Sequence, residues 1–349
     1  MRVVVDIPPE LVDDIRSAVQ EGNYESPEEF LERALRTQLK LESSEQETLM
    51  SFGDAIEAGG PPEREQTTEQ PSFTQSTQWS EDRSNLEDLS TFDFDVTTVD
   101  PSDAERIDMG PLWGQYNRIF PMKLSVRRLA VVLAETESDG VSYQQFRNET
   151  ARVAREYGLR LEEIDDEKGR GRGEKFSAAF PTGDKVERSL DRFKTHFVGQ
   201  IDSSRNLTGA PPNLQFVDID PDTEEFGITE AGFEFARIEN PILDEDLASD
   251  SSLSNDERQF YLDHVASEHP AEYEAMELVA NAIVEGVDRP DPLSERVGEL
   301  SDDWSSAQAS TIRSGLIGRM CELGLVSRRR VGARGIGYEV TEVGGTELL

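Results

Sequence analysis

The residues of this 349-residue chain best suited to metal or nucleophilic chemistry are three histidines, one cysteine and many carboxylates. His264 and His269 lie five residues apart, and His196 stands alone. A protein zinc site needs three or four nitrogen, sulfur or carboxylate ligands in a closed set, and no such spacing is present, so no metal is expected. Cys321 falls near an apolar stripe and reads as a small core residue; alone, it excludes a disulfide framework. Asp218, Asp220, Asp222, Glu224 and Glu225 form a dense acid cluster, but acids are as dense elsewhere. A hydrated surface is therefore the expected reading. No Ser-His-Asp or Cys-His arrangement follows from the positions. The chain is expected to be no enzyme, with no catalytic residues and no cofactor.

Arginine is the remaining source of chemistry. The chain has 72 acidic and 35 basic residues, a net charge of −37, and a hydrophobic content of 36%. Of the basic residues 29 are Arg and 6 are Lys. Such a composition resembles that of salt-in halophiles, whose carboxylates keep a surface hydrated in molar salt, and a halophilic archaeon is the expected source. At molar ionic strength the screening length is ~3 Å, so the net charge does not exclude an anionic partner. The charge is also uneven. Residues 42–108 carry −15 and 218–303 carry −22, whereas 109–217 and 304–349 carry +2 each. Arginine kept against that background points to an anion. The stretch Lys168 to Lys175 alternates Gly with Arg or Lys and reads as basic and flexible. It lacks the G-x-x-x-x-G-K-[ST] spacing of a phosphate-binding loop. No run of 18 apolar residues exists, and the first residues read as a charged strand. Neither a membrane span nor a secretory signal is expected, and a cytoplasmic location follows.

The elements that would position these residues fall into five segments. Residues 42–108 are rich in Ser, Thr, Glu and Gln and lack apolar periodicity, so they read as a disordered acidic linker. Residues 1–41 begin with Arg2-Val3-Val4-Val5-Asp6-Ile7, whose alternation predicts a strand with Val3, Val5 and Ile7 on one face. A helix through Leu11, Ile15 and Val19 follows. Ser26-Pro27-Glu28-Glu29 then forms a capping box that starts a second helix. One strand and two helices bury too little to be stable alone, which predicts a two-fold homodimer with paired strands. This strand-helix-helix pattern resembles the ribbon-helix-helix DNA-binding family of the Arc, MetJ and CopG kind. The resemblance implies that Arg2, Val4 and Asp6 read base edges in the major groove and that the helix start at Ser26 faces phosphate. Asp6, Glu28 and Glu29 depart from a purely basic surface.

Residues 272–349 predict an amphipathic helix over 273–287, a second from Pro292, and a third capped by Ser305 or Ser306 and ended by Gly324. Two short strands then flank the Arg/Gly loop 328–336. "LSERVGEL…STIRSGLIGRMCELGLVSRRRVGARGIGYEVTEVG" resembles the winged helix-turn-helix family. The resemblance implies a recognition helix presenting Gln308, Thr311, Arg313 and Ser314 to double-stranded DNA. Arg319 would lie nearer the backbone, and Arg328, Arg329, Arg330 and Arg334 would sit on the wing. Residues 109–242 resemble a second, more divergent copy. It has helices over 124–136 and 143–157 and a third over 184–198 bearing Lys185, Arg188 and Arg192. A hairpin (216–220 and 226–229) leads to a helix opening at Glu230. Residues 243–271 read as a solvated acidic connector. The fold class expected is mainly α with small β. The layout resembles the long ribbon-helix-helix regulators of halophilic archaea. It implies a dimeric, sequence-specific regulator of transcription, with cell-division genes among its targets. The alternative is a dimeric adaptor whose winged helices bind proteins, such as a short ribbon-helix-helix paralogue.

Overall fold

The computed structural model describes residues 95–101, 110–136, 140–171, 173–202, 205–220, 222–332 and 335–349. The expected ribbon-helix-helix segment, with Arg2, Val4, Asp6 and Ser26, and most of the acidic linker lie outside the described residues.

From Phe120 onward the chain alternates helices with short antiparallel strands. Helix α1 (Phe120–Thr136) is followed by β1 (Val141–Ser142), α2 (Tyr143–Glu167) and α3 (Val186–Phe193), which runs into a π-turn over Lys194–Val198. The short strands β2 (Gln200–Ile201) and β3 (Leu207–Thr208) pair, and one helical turn, α4 (Ala210–Asn213), leads into β4 (Val217–Asp220) and β5 (Glu225–Ile228). Helix α5 (Glu230–Arg237), a π-turn at Pro241–Glu245, α6 (Asn255–Glu268) and α7 (Pro270–Val284) come next. The chain ends with α8 (Pro290–Gly298), α9 (Ser306–Glu322), the hairpin β6 (Val326–Val331) and β7 (Gly335–Val340), and α10 (Glu342–Leu348). The class is mainly α with small antiparallel sheets, of order β1-β5-β4, β2-β3 and β6-β7. Among the described residues no helix is long and apolar enough to cross a membrane.

Local sequence explains the C-terminal boundaries. Ser305 caps α9 in a reciprocal box: the Gln308 amide donates to Ser305 Oγ and the Ser305 amide to Gln308 Oε1. At the other end Gly324 has φ +77, its amide donates to Cys321 O, and the Leu325 amide donates to Met320 O. That is the paired closure of a helix through a left-handed residue.

The same closure recurs at α4. The Gln215 amide donates to Pro212 O and the Phe216 amide to Pro211 O, with Gln215 at φ 55. The likeness continues along both hairpins. Thr229 and Thr341 each cap the helix that follows, accepting at 3.0 Å from the amides of Gly232 and Gly344. Each Thr hydroxyl also donates at 2.6 Å to the carbonyl of the left-handed residue, Gln215 or Gly324. Each Thr amide bonds the next carbonyl, of Phe216 or Leu325. Both glycines lie against that same carbonyl, so neither position has room for a Cβ. The third strand has a counterpart too: Val141 pairs with Phe226, and the Tyr338 amide bonds Asp288 O just after α7. Residues 140–237 and 286–348 thus share a local plan around Leu-x-[Phe/Leu]-Val and Thr-Glu-x-Gly. One difference is clear. The helix immediately before the β4–β5 hairpin is the single turn α4; α3, expected in that place, is set apart by β2 and β3.

The expected connector is solvated on one side only. Leu243, Leu253, Tyr261, Leu262 and Val265 belong to a hydrophobic core that extends from Leu112 to Leu348. The buried charges of α1 within it are matched, although the Tyr261 hydroxyl has no partner among the described residues. Asn240 is fully buried, accepts from the amides of Ile242 and Leu243, and donates to Glu257 at 2.9 Å. Lys123 Nζ contacts Glu257 Oε1 at 2.9 Å and donates to Ile238 O at 2.7 Å. One turn later, Arg127 forks onto Asp244 at 2.7 and 3.0 Å and donates to Ile238 O at 2.7 Å. Two acids of the connector, Asp244 and Glu257, are thus drawn inward as partners for two cations on α1, where an unpaired buried charge would be costly, while Glu245, Asp246, Asp250, Asp256, Asp263 and Glu268 stay exposed. Burial pulls the Lys123 pKa down to about 8, with Glu257 opposing the shift.

A left-handed Gln215 carries strain that glycine avoids, set against glycine's larger entropy loss on folding. Gln215→Gly is expected to raise stability by about 0.5–1 kcal/mol in denaturant unfolding. Gly324→Ala is expected to lower it by a similar amount. A loss of stability in Gln215→Gly would refute the equivalence of the two closures.

Candidate nucleic-acid interface

The positions expected on a recognition helix divide sharply once α9 is folded. Ser306, Ala307, Gln308 and Ser314 are exposed, and Ser310, Thr311 and Arg313 are half-buried. They form a stripe of about two turns at spacing near 3.6. Several are already engaged within the chain. Gln308 closes the cap, Thr311 Oγ1 donates to Ala307 O, and Arg313 donates to the hydroxyls of Ser294 and Ser310. Ser314 has open space around it.

The stripe stops where another segment crosses. Residues 112–120 run along α9 in close contact. A Cβ at Gly114 would overlap Thr311 O, one at Gly315 would sit 2.5 Å from Gly114 O, and one at Gly318 would sit 2.6 Å from Asn117 O. Farther along, the Glu322 carboxylate accepts from the amides of Ile119 at 2.7 Å and Phe120 at 3.1 Å. It thereby satisfies amides at the start of α1, where negative charge is favourable.

Arg319 is the main correction among the expected contact residues. It is 1% exposed and is closed to a duplex. Its Nε and Nη2 fork onto Glu272 at 2.7 and 3.0 Å, and Nη1 donates to Tyr116 O at 2.7 Å. Glu272 Oε2 also accepts from the Leu112 amide. A helical-wheel reading places Arg319 toward solvent because it takes no account of a segment 200 residues earlier in the chain.

The β6 arginines alternate, as strand residues must. Arg329 is exposed but paired with Asp288, a carboxylate that also lies 3.5 Å from Arg289. Arg330 is exposed on the opposite face. Arg328, on the face of Arg330, is half-buried and faces an internal cavity. Arg334 lies outside the described residues. In the earlier segment Lys185 and Arg192 are exposed, Arg188 is half-buried, and Arg192 donates to Gln115 Oε1 at 3.0 Å. The basic stretch 168–175 is tied down at several points. Lys168 bonds Asp250, Arg170 bonds Asp165, and Lys175 bonds Asp166. Hydrogen bonds from Ser177, Arg170 and Phe176 hold the Asp165 carboxyl below the usual range despite its burial.

Sequence reasoning missed Arg118 and Arg258, whose guanidinium groups face the same cavity as Arg328. Their spacing, 140 residues apart, carries no local signal. No family model, curated protein or solved structure matches the chain. Among the described residues no three His, Cys, Asp or Glu side chains come together as metal ligands.

The histidine beneath α3 offers a check on this region. Burial, and then the nearby Arg192 charge, push His196 down to about 4. Between pH ~6.5 and 4 the unfolded chain binds a proton at this residue that the folded chain does not. This group's contribution to stability is therefore present above pH 6.5 and lost as pH falls toward 4. His196→Gln is expected to flatten that part of a urea-midpoint against pH curve. An unchanged slope would contradict the burial of the neutral ring.

Proposed function

We propose that this chain is a DNA-binding regulator of transcription. In this reading it dimerises through residues 1–41, and its α7–α8–α9–β6–β7 unit acts as a winged helix-turn-helix domain. The observation that carries the reading is the pairing of an open two-turn stripe on α9 with exposed Arg329 and Arg330 on β6, in a chain of net charge −37. Exposed arginines kept on β6 against such a background suit phosphate, and the side chains on the stripe suit base edges. The α1–β1–α2 and β4–β5–α5 parts, which share the local plan of the C-terminal unit, act as a second and more divergent copy. Molar salt reduces the counterion-release contribution, so affinity would come from base contacts and from linked modules acting at high effective concentration. Cell-division genes are the expected targets by the layout.

A second reading is supported by a specific contact. Arg329 is paired with Asp288, and self-paired wing arginines suit a domain that docks proteins. In that case the chain is a dimeric adaptor for a partner such as a short ribbon-helix-helix paralogue.

Gel retardation in molar potassium, with the gene's own upstream region and random fragments, separates the two. Sequence-selective retardation is expected, weakened at least tenfold by Arg2→Ala and several-fold by Arg330→Ala. Absence of selective retardation on any genomic fragment would refute the regulator reading.

A further inference from the structure

A cavity of about 320 Å³ opens between the loop after α2, the turn before α6, and the junction of α9 with β6. Arg118, Arg258, Arg328 and Lys175 line it, with Phe176, Cys321 and Val326 as its less polar surface. Three carboxylates, Glu174, Asp250 and Glu322, line it too, and Lys175 is paired with Asp166 at 2.7 Å, which leaves the three arginines as the cations without an ion pair among the described residues.

The partners of these cations leave their charge largely uncompensated. Arg118 donates to two neutral acceptors, Gly318 O and Gly173 O, both at 3.1 Å. Arg258 donates to Ser251 Oγ at 2.7 Å, and its buried Nε has no partner. Arg328 packs against Gly173, where a Cβ would overlap its guanidinium. Among the described residues none of the three arginines forms an ion pair with a carboxylate. The acids around the cavity are committed elsewhere. Glu322 accepts from the amides of Ile119 and Phe120 and from Ser252 Oγ. Glu174 accepts from the Gly171 amide, and Asp250 bonds Lys168 at 2.6 Å. Burial pushes the Arg118 pKa down, Glu322 opposes this, and the facing Arg328 charge adds to the depression. Glu322 offsets the mutual repulsion of these cations without forming an ion pair with Arg118 or Arg258, so an added anion able to bond all three would stabilise them further.

We infer that this cavity is a binding site for a small organic phosphate, held by Arg118, Arg258 and Arg328 through its phosphate group. Guanidinium groups present paired donors that match phosphate oxygens. The volume exceeds what a bare phosphate fills and falls at the lower end of small-molecule sites, about 300–1,000 Å³. Phe176, Cys321 and Val326 offer the organic part of the ligand a less polar wall. Because Arg328 opens the arginine run of β6, an occupant would hold that strand end against the loop at Gly173. The site does not depend on the DNA reading, and either can fail alone.

Isothermal titration of the full chain in molar potassium chloride tests the site with three probes: adenosine 5′-monophosphate, glycerol 3-phosphate and inorganic phosphate. Adenosine and glycerol serve as neutral controls. Saturable one-to-one binding of at least one ester is expected, tighter than inorganic phosphate, with no binding of the neutral controls. Arg328→Gln, which removes no hydrogen bond within the chain, is expected to weaken binding at least tenfold. Arg258→Gln should do the same, and Arg205→Gln, outside the cavity, should change it less than twofold. No saturable binding by either ester, or ester binding indifferent to Arg328→Gln and Arg258→Gln, would overturn the inference.

Discussion

A buried guanidinium must have nearly all its donors satisfied, and Arg319 meets that demand with groups from two distant segments. Glu272 at the start of α7 supplies the counter-charge, and Tyr116 supplies a carbonyl. The Leu112 amide closes the set by donating to the same carboxylate. Removing one member leaves a charge stranded in the core, which typically costs about 3–5 kcal/mol. The pair therefore fixes the path of residues 112–120 along α9. Gly114, Gly315 and Gly318 permit the approach, since each packs where a Cβ would strike the opposing backbone. Glu322 then hands the path over to α1 by accepting from its leading amides. Which part of α9 remains open follows from this seam, and so does the wall of the Arg-lined cavity that contains Arg118.

A second constraint repeats within the chain. At both larger hairpins a left-handed residue ends a helix, a threonine caps the next one, and a glycine lies against the carbonyl between them. The closing amides and the carbonyls they reach at these corners bond one another locally, so the geometry is set within a few residues of each hairpin. That explains how one plan serves two settings that differ in helix length and charge. The middle segment departs from that plan where its sequence is most distinctive. Pro211-Pro212 compresses the preceding helix to a single turn, and the β2–β3 pair displaces α3 from the hairpin.

Much of the C-terminal unit was legible from local rules. Ser305, one of the two expected caps, and Gly324 mark the ends of α9 through interactions a few residues apart, whereas the loop expected over 328–336 is mostly strand: β6 reaches Val331 and β7 starts at Gly335. The likeness of the middle segment was legible in part, through its hairpin and the Glu230 helix start. The inward-facing charges were not. Lys123 and Arg127 lie four apart on an otherwise apolar helix, a pattern that signals a buried polar stripe only once acids elsewhere are known to meet it. Asp244 and Glu257 sit in a stretch so acidic that composition alone assigns it to solvent. Arg319 was assigned to the surface because helical periodicity ranks residues by type, whereas its burial depends on Glu272 and on residues 112–116. The cavity was illegible for the same reason: Arg118, Arg258 and Arg328 meet only through long-range packing. The N-terminal segment, read from its alternation and its capping box, stands as sequence evidence alone.

If Arg319 and Glu272 join the path of residues 112–120 to α9, then α1 and α9 must open together. Native-state hydrogen exchange resolves this directly. The slowest amides of α1 and α9 should open with one shared free energy, and Arg319→Met should lower both by the same amount, about 3–5 kcal/mol. Loss of protection confined to α7–α10, with α1 unchanged, would contradict the account.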